Sequence, residues 1–163
     1  MKKLPRVYWD STCFLAWLKP EPERRTKCRE VLGAAERGEL QIVTSAISLI
    51  EVIKLDKGPL QITQDKEKKI ADFFKHNYIV IVQVTRRLGE LARSLIWSQA
   101  LRPRDAIHAA TAISEKLSDL HTFDHDFLRL DGKVGNPRLV IKEPHTLQGV
   151  LPLEAPLQED EEI

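Results

Sequence analysis

The sequence predicts an α/β fold in which a mainly parallel sheet of four to five strands carries helices on both faces. Short apolar segments alternate with longer helical ones through most of the chain. The apolar segments are continuous runs, such as 79–82, rather than alternating patterns, which is typical of strands that are buried on both faces. No Asn-Gly pair joins two of these runs, so a parallel sheet is favoured over hairpins.

The first strand is predicted at 6–9, where apolar, strand-forming residues precede Asp10. Ser11 and Thr12 can cap the helix that follows, which extends to Leu18. The next predicted elements are a helix at 24–37, a strand at 40–44, a helix at 45–55 and a helix at 64–74. Gly38 suits the end of the helix before it, and Gly58-Pro59 stops the third helix.

The second half of the chain repeats the alternation. Its predicted elements are a strand at 78–84, a helix from the cap Thr85 to about Ala100, a helix at 105–117, a strand at 120–122 and a fifth strand at 138–141. The segment Arg102-Pro103-Arg104 connects the two helices of this half.

Length and composition limit the class of protein. A chain of 163 residues suits one domain, and 42% hydrophobic with 30% charged residues is typical of globular proteins. The apolar runs are far shorter than the roughly 20 residues that a membrane helix needs, and no secretory signal is expected at the start. Two cysteines provide neither a disulfide framework nor a zinc site, so a cytoplasmic location is expected.

Charge divides the chain into two parts. Residues 151–163 carry five acidic and no basic side chains, so the rest has a net charge of +6 although the whole chain is at +1. A mildly basic body suits a polyanion such as nucleic acid, but a solvated tail on an ordinary soluble domain explains the same charges. We predict a folded domain at 1–145 and an acidic, loosely ordered tail at 146–163.

Five acidic residues are expected at one edge of the sheet. Asp10 ends the first strand, Asp124 and Asp126 follow the fourth, and Asp105 opens the helix that leads into it. Ligands of such sheets bind beyond the carboxyl ends of the strands. Glu51 has apolar neighbours one helical turn away on either side, so its carboxylate is expected to face packed protein.

Each of these residues also has a purely structural interpretation. Asp105 and Asp10 could be helix caps, Asp124 and Asp126 could form Asx turns, and Glu51 could pair with Lys54. If four carboxylates meet, a cation is required, because two of them about 4 Å apart repel by roughly 4 kcal/mol at an effective dielectric constant of 20. Oxygen ligands without Cys or a set of His favour Mg²⁺ or Mn²⁺. The reaction class expected from such a site is metal-assisted phosphodiester hydrolysis.

Four motifs resemble those of PIN-domain ribonucleases, and their order and spacing are close to those of VapC-type toxins. The motifs are Asp10-Ser11-Thr12, the helix from Ser45 to Glu51 with Ser48 between them, Asp105-Ala106 followed by Ala109 to Ala112, and Thr122-Phe123-Asp124-His125-Asp126-Phe127.

The resemblance implies a three-layer α/β/α sandwich and an RNA endonuclease that depends on Mg²⁺ or Mn²⁺. Its acidic quartet corresponds to Asp10, Glu51, Asp105 and Asp124. Asp126 matches a further acidic position that can contribute to metal binding. Ser11 and Thr122 match polar positions that order the site and its substrate. Many VapC-type toxins form homodimers and are inhibited by a small antitoxin protein.

Several other side chains have two interpretations. Arg102 and Arg104 flank Asp105 and could contact RNA phosphates, or could be solvent-exposed connector charges. His108 could reach the metal site, although packing against the sheet is favoured. Trp9, Trp17 and Trp97 are expected in the core.

Other phosphate-handling folds fit less well. A dehalogenase-type phosphatase needs a second Asp where Thr12 stands, and no glycine-rich nucleotide-binding loop occurs. The remaining alternative is a PIN-like domain that acts as a non-catalytic RNA- or protein-binding module.

Overall fold

A computed structural model describes residues 3–19, 21–53 and 63–145 of the chain. The described residues form one sheet of five parallel strands, in the order β3-β2-β1-β4-β5. The strands are β1 (Arg6–Trp9), β2 (Gln41–Ser45), β3 (Ile79–Val82), β4 (Asp119–His121) and β5 (Val140–Lys142). The helices are α1 (Ser11–Leu18), α2 (Pro22–Glu36), α3 (Ser48–Glu51), α4 (Gln64–Phe74), α5 (Arg86–Gln99), α6 (Pro103–Ser114) and α7 (His125–Leu128).

The strand order changes direction at the centre of the sheet. β1 lies between β2 and β4, so that Tyr8 is level with Val43 on one side and with Leu120 on the other. The chain first builds outward through β2 and β3, and then returns to the opposite side of β1 with β4 and β5. The carboxyl ends of β1 and β4 are therefore adjacent, and this is where parallel sheets commonly bind ligands.

Side chains of each central strand enter two separate hydrophobic cores. Val7 and Trp9 of β1 pack with Phe14 of α1 and with residues of α2 and α4. Tyr8, which points to the other face, packs with residues of α5 and α6 such as Ala109. The alternation explains the continuous apolar runs and confirms the predicted three-layer α/β/α arrangement.

The helix predicted at 45–55 is largely wrong. β2 continues through Ser45, and only the single turn Ser48–Glu51 is helical before Val52. The Thr44 hydroxyl donates to the carbonyl of Trp9 at 2.7 Å, which holds the end of β2 against β1. Residues 54 and 55 lie outside the described residues.

Two helices begin earlier than predicted because each starts with a proline. Pro22 and Pro103 occupy the first turn of α2 and α6, where a missing N–H costs no hydrogen bond. The short helix α7 was not predicted, and the predicted tail at 146–163 lies outside the described residues. No helix among residues 3–19, 21–53 and 63–145 is long and apolar enough to cross a membrane.

Acid should destabilise the fold through His121. Its Nδ1 accepts a hydrogen bond from Trp9 Nε1 at 3.2 Å, and burial lowers the pKa of His121 to about 3. The unfolded chain takes up this proton near pH 6.5, so the free energy of unfolding should decrease as the pH falls from about 6.5 towards 3. His121→Asn keeps an acceptor for Trp9 and should remove this component from urea unfolding curves measured across that range. An identical pH dependence in both proteins would contradict the assignment.

Candidate active site at the carboxyl edge of the sheet

Asp10 caps α1 and is the most enclosed carboxylate of the site. Its Oδ1 accepts the amide of Thr12 at 3.0 Å, the amide of Cys13 at 3.4 Å and the Thr12 hydroxyl. The residue is only 3% exposed, and this burial raises its pKa against the lowering effects of His108 and of the threonine hydroxyls. Asp10 is therefore a helix cap, as one interpretation predicted, but capping alone does not explain why a carboxylate is buried here at the cost of its hydration.

Thr122 joins the end of β4 to the end of β1. Its buried hydroxyl donates to Asp10 Oδ2 and accepts the amide of Asp124 at 3.0 Å. Asp124 in turn caps α7, since its Oδ1 accepts the amide of Asp126 at 2.9 Å. One hydroxyl thus fixes the spacing between the two strand ends that carry the acidic residues.

The start of α6 brings Asp105 to the same edge. The helix cap is Arg102 and not Asp105, so the interpretation of Asp105 as a simple N-cap is wrong. Asp105 is 8% exposed, and its Oδ2 accepts a hydrogen bond from Arg102 Nε at 2.9 Å. A terminal nitrogen of the same guanidinium pairs with Asp124 Oδ2. Asp105 and Asp124 are therefore linked through one arginine.

Glu51 reaches the site through a buried histidine. Its Oε2 lies 2.8 Å from His108 Nε2, and His108 Nδ1 lies 2.6 Å from the Tyr8 hydroxyl. The Tyr8 oxygen also accepts the amide of Ser45 at 3.1 Å. Burial would raise the pKa of Glu51, but the hydrogen bond and charge of His108 and a hydrogen bond from Ser11 outweigh it and lower the pKa. Glu51 is thus held as a carboxylate by defined partners.

The contacts close into a ring of polar residues, which we call the acidic ring. Its members in order are Asp10, Thr122, Asp124, Arg102, Asp105, His108, Glu51 and Ser11. Asp105 and His108 are joined by one turn of α6, and Ser11 adjoins Asp10 in the chain. The structure therefore links the four predicted catalytic carboxylates through shared polar partners at the predicted edge of the sheet.

The acidic ring has the donor atoms that a hard divalent cation prefers, but its side chains are not close enough together to coordinate one. Its carboxylate oxygens are the ligands that Mg²⁺ and Mn²⁺ prefer. Among the described residues, however, no three acidic, histidine or cysteine side chains converge on one point closely enough to hold a metal ion. Arg102 pairs with two of the four carboxylates instead. Binding of a cation would require these side chains to rearrange.

The other predicted site residues lie around the ring. Asp126 is exposed and contributes, with Arg102, Asp105 and Arg129, to the lining of a cavity of about 230 Å³. Arg104 is exposed and makes no salt bridge with a described residue, although its charge contributes to lowering the pKa of Glu51. Asp126 therefore remains a candidate metal ligand, and Arg104 a candidate substrate-binding residue, because of where they lie and not because of a contact with the ring.

Sequence reasoning missed Tyr8 and Thr12 as parts of the site. Thr12 donates to Asp10 and accepts the amide of Phe123 at 2.9 Å, so it joins the two acidic motifs directly. Tyr8 was assigned only to the first strand, because its hydroxyl partner is 100 residues away in the sequence. His108 was expected to pack against the sheet, and it does so while also binding Glu51.

Trp97 is not in the core as predicted. It is 85% exposed, whereas Trp9 is fully buried and Trp17 packs against the first core as expected. The buried positions of α5 are Leu88, Ala92 and Leu95, and Trp97 falls on the opposite side of the helix. Large apolar side chains are also exposed at and just after α3, namely Leu49, Ile50 and Ile53.

Comparison with known proteins identifies one family by sequence. The model of the PIN-domain family matches residues 7–133, which is more than half of the chain and contains the whole acidic ring. No curated protein matches the sequence.

Solved structures with a similar fold include three toxin–antitoxin proteins. VapC20 of Mycobacterium tuberculosis, a toxin that cleaves the sarcin-ricin loop, superposes with a TM-score of 0.60 at 17% identity, over 76% of this chain and 93% of its own. A toxin–antitoxin complex from Klebsiella pneumoniae superposes with a TM-score of 0.59 at 19% identity, over 86% of this chain and 99% of its own. VapBC2 from Rickettsia felis, solved with a DNA fragment from its promoter, superposes with a TM-score of 0.57 at 18% identity, over 85% of this chain and 98% of its own.

Proposed function

Because this chain belongs to the PIN-domain family, we propose that it is an endoribonuclease that hydrolyses RNA phosphodiester bonds with Mg²⁺ or Mn²⁺. We further propose that it is the toxin of a VapBC-type toxin–antitoxin pair and acts in the cytoplasm. The observation that supports the nuclease proposal is the acidic ring, in which carboxylates from four separate segments are linked through shared polar partners at the carboxyl edge of the sheet.

Each carboxylate has a distinct part in the proposed site. Asp10, Asp105 and Asp124 would hold the cation, with Asp126 as a further ligand, and Glu51 would orient water. When bound, such a cation neutralises phosphate charge and makes water more acidic. Asp10 is preoriented by its amide and hydroxyl donors, and Glu51 by His108. No serine, cysteine or histidine nucleophile is needed for this chemistry.

Polar and basic residues in and beside the ring would bind the substrate. Ser11 and Thr122 keep the carboxylates in place and border the position where the scissile phosphate would lie. Arg104 is exposed next to Asp105 and can contact a phosphate of the strand. Arg102 is proposed for the same role, although it pairs with Asp105 and Asp124 in this structure.

Exposed apolar residues support a protein partner. Leu49, Ile50 and Ile53 lie next to Glu51 and expose 45%, 71% and 52% of their surface. An antitoxin peptide or a second copy of the chain, both expected of VapC-type toxins, would cover such a surface. Light scattering of the purified chain should give the mass of a dimer. A monomer whose mass and activity do not change when small proteins encoded beside its gene are added would contradict both partners.

Metal-dependent cleavage tests the nuclease proposal. Purified protein should cut a mixed RNA substrate in Mg²⁺ or Mn²⁺, stop in EDTA and recover when excess Mn²⁺ is returned. Double-stranded DNA serves as the control polyanion. Binding of RNA without cleavage in any of these metals would favour the alternative, a non-catalytic RNA- or protein-binding module.

A further inference from the structure

We infer that Arg102 is a built-in counter-cation of the acidic ring, which holds Asp105 and Asp124 together in the metal-free protein and competes with the divalent cation for their oxygens. The inference rests on the proposed function and adds to it a residue that sets the metal affinity of the site. It follows from the two contacts of one guanidinium, with Asp105 at 2.9 Å and with Asp124, which stand on different elements of the fold.

Arg102 binds the oxygen of Asp124 that has no other donor among the described residues. Asp124 Oδ1 accepts the amide of Asp126, whereas Oδ2 is paired with Arg102. Both oxygens of Asp10 accept hydrogen bonds from the fold, but a carboxylate keeps further acceptor sites that a cation can use. An ion that uses Asp124 Oδ2 would therefore displace Arg102, and the same guanidinium also holds Asp105 through its Oδ2.

Arg102 stands at a position that helix chemistry does not favour for arginine. It is the N-cap of α6 and makes no side-chain capping bond, where Ser, Thr, Asp or Asn would satisfy a free amide. A cation beside the first turn is also unfavourable in the field of the helix. The two carboxylates compensate for this placement, which indicates that they are the reason for it.

The Arg102 side chain lies near the surface and can move away from the site without opening the hydrophobic core. It is 48% exposed, while Pro103 fixes the backbone next to it. The side chains of Asp105 and Asp124, taken without their backbones, are 11% and 22% exposed, so removal of the guanidinium leaves two partly buried charges without their shared partner. A divalent cation would neutralise the charge of the two carboxylates in place of Arg102. The released Arg102 side chain could then bind a phosphate of the substrate beside the site.

Arg104 provides a matched control. It lies two residues further along the same helix, carries the same charge and contributes to the field at Glu51, yet forms no salt bridge with a described residue. Arg104→Gln therefore changes the net charge of the site region as Arg102→Gln does, but leaves the bridging contact intact. The comparison separates direct competition from a general change in the electrostatic field.

Calorimetric titration with Mn²⁺ in the absence of RNA tests the inference on the full chain. Arg102→Gln should bind Mn²⁺ about five- to tenfold more tightly than the wild type, the size expected for loss of two partly exposed ion pairs that compete with the metal, whereas Arg104→Gln should stay within about twofold. Arg102→Lys keeps the charge but cannot bridge both carboxylates with a planar fork, so its affinity should be intermediate. Thermal unfolding in EDTA should show a lower melting temperature for Arg102→Gln than for Arg104→Gln, and Mn²⁺ should remove the difference.

The outcomes separate this inference from the proposed function. If the wild type binds Mn²⁺ and Arg102→Gln binds it no more tightly than Arg104→Gln, Arg102 does not compete with the metal. If Arg102→Gln does not fold, an affinity of Arg102→Lys equal to that of the wild type leads to the same conclusion. If neither the wild type nor any arginine variant binds Mn²⁺, the metal site itself is overturned, and the nuclease proposal falls with it.

Discussion

Asp10→Asn should lower RNA cleavage by at least about a hundredfold, because a bound metal contributes several kcal/mol to the transition state and Asp10 is the ligand that the fold holds most tightly. The two amides and the Thr12 hydroxyl that donate to Oδ1 can still donate to the side-chain oxygen of an asparagine, while the Thr122 hydroxyl, which donates to Oδ2, would turn to accept from its NH2 group. Burial raises the pKa of Asp10, so replacing the carboxylate by a neutral amide removes an unfavourable charge. The melting temperature in EDTA should therefore remain close to that of the wild type or increase.

The matched control is Asp119→Asn, the same chemical change at the first residue of β4. Asp119 lies at the opposite end of that strand from Thr122 and accepts a hydrogen bond only from Ser118 among the described contacts. This variant should cleave RNA at the wild-type rate. If Asp10→Asn cleaves RNA at the wild-type rate, in a preparation free of wild-type enzyme, Asp10 is not part of the catalytic site.

Replacement of His108 should produce the second large effect, a loss of activity whose size depends on which nitrogen is lost. His108 Nε2 contacts Glu51 and Nδ1 contacts the Tyr8 hydroxyl. Gln places its amide near the position of Nε2, whereas the shorter Asn reaches only as far as Nδ1. His108→Asn should therefore remove the histidine contact of Glu51 and reduce kcat by about a hundredfold, as expected for misplacement of a catalytic group by about 1 Å.

His108→Gln should restore most of this loss. Both variants leave one buried partner of His108 without its hydrogen bond, so each should lower the free energy of unfolding by about 1–3 kcal/mol. Similar stabilities with different kcat values, at unchanged KM, would identify His108 as a positioning residue for Glu51. Equal kcat values in the two variants would assign it a role in packing alone.

The sheet could be predicted from the sequence because burial on both faces leaves a strong pattern. The run of β3 is apolar throughout and that of β1 is apolar after Arg6, and their order with the helices implies parallel strands. Errors occurred where tertiary contacts decide the local structure. The end of β2 is set by a hydrogen bond from Thr44 to Trp9, 35 residues away, which no local pattern reveals.

The site was predictable in position but not in its connections. Asp10 and Asp124 follow strands whose ends must meet, so their proximity follows from topology. The salt bridges of Arg102 and the contact of His108 with Tyr8 depend on how α6 packs on the sheet. Trp97 was misassigned because an aromatic residue in a helix is usually buried, and only the packed helix shows which face it occupies.

Anomalous X-ray diffraction from crystals soaked in Mn²⁺ tests the central claim most directly, since it shows where a hard cation binds. We expect a manganese peak bounded by Asp10, Asp105 and Asp124, with the Arg102 side chain moved away from both of its present partners. Crystals that diffract well and show no peak there at millimolar Mn²⁺, with Arg102 still paired to Asp105 and Asp124, would contradict a metal-dependent nuclease site in this protein.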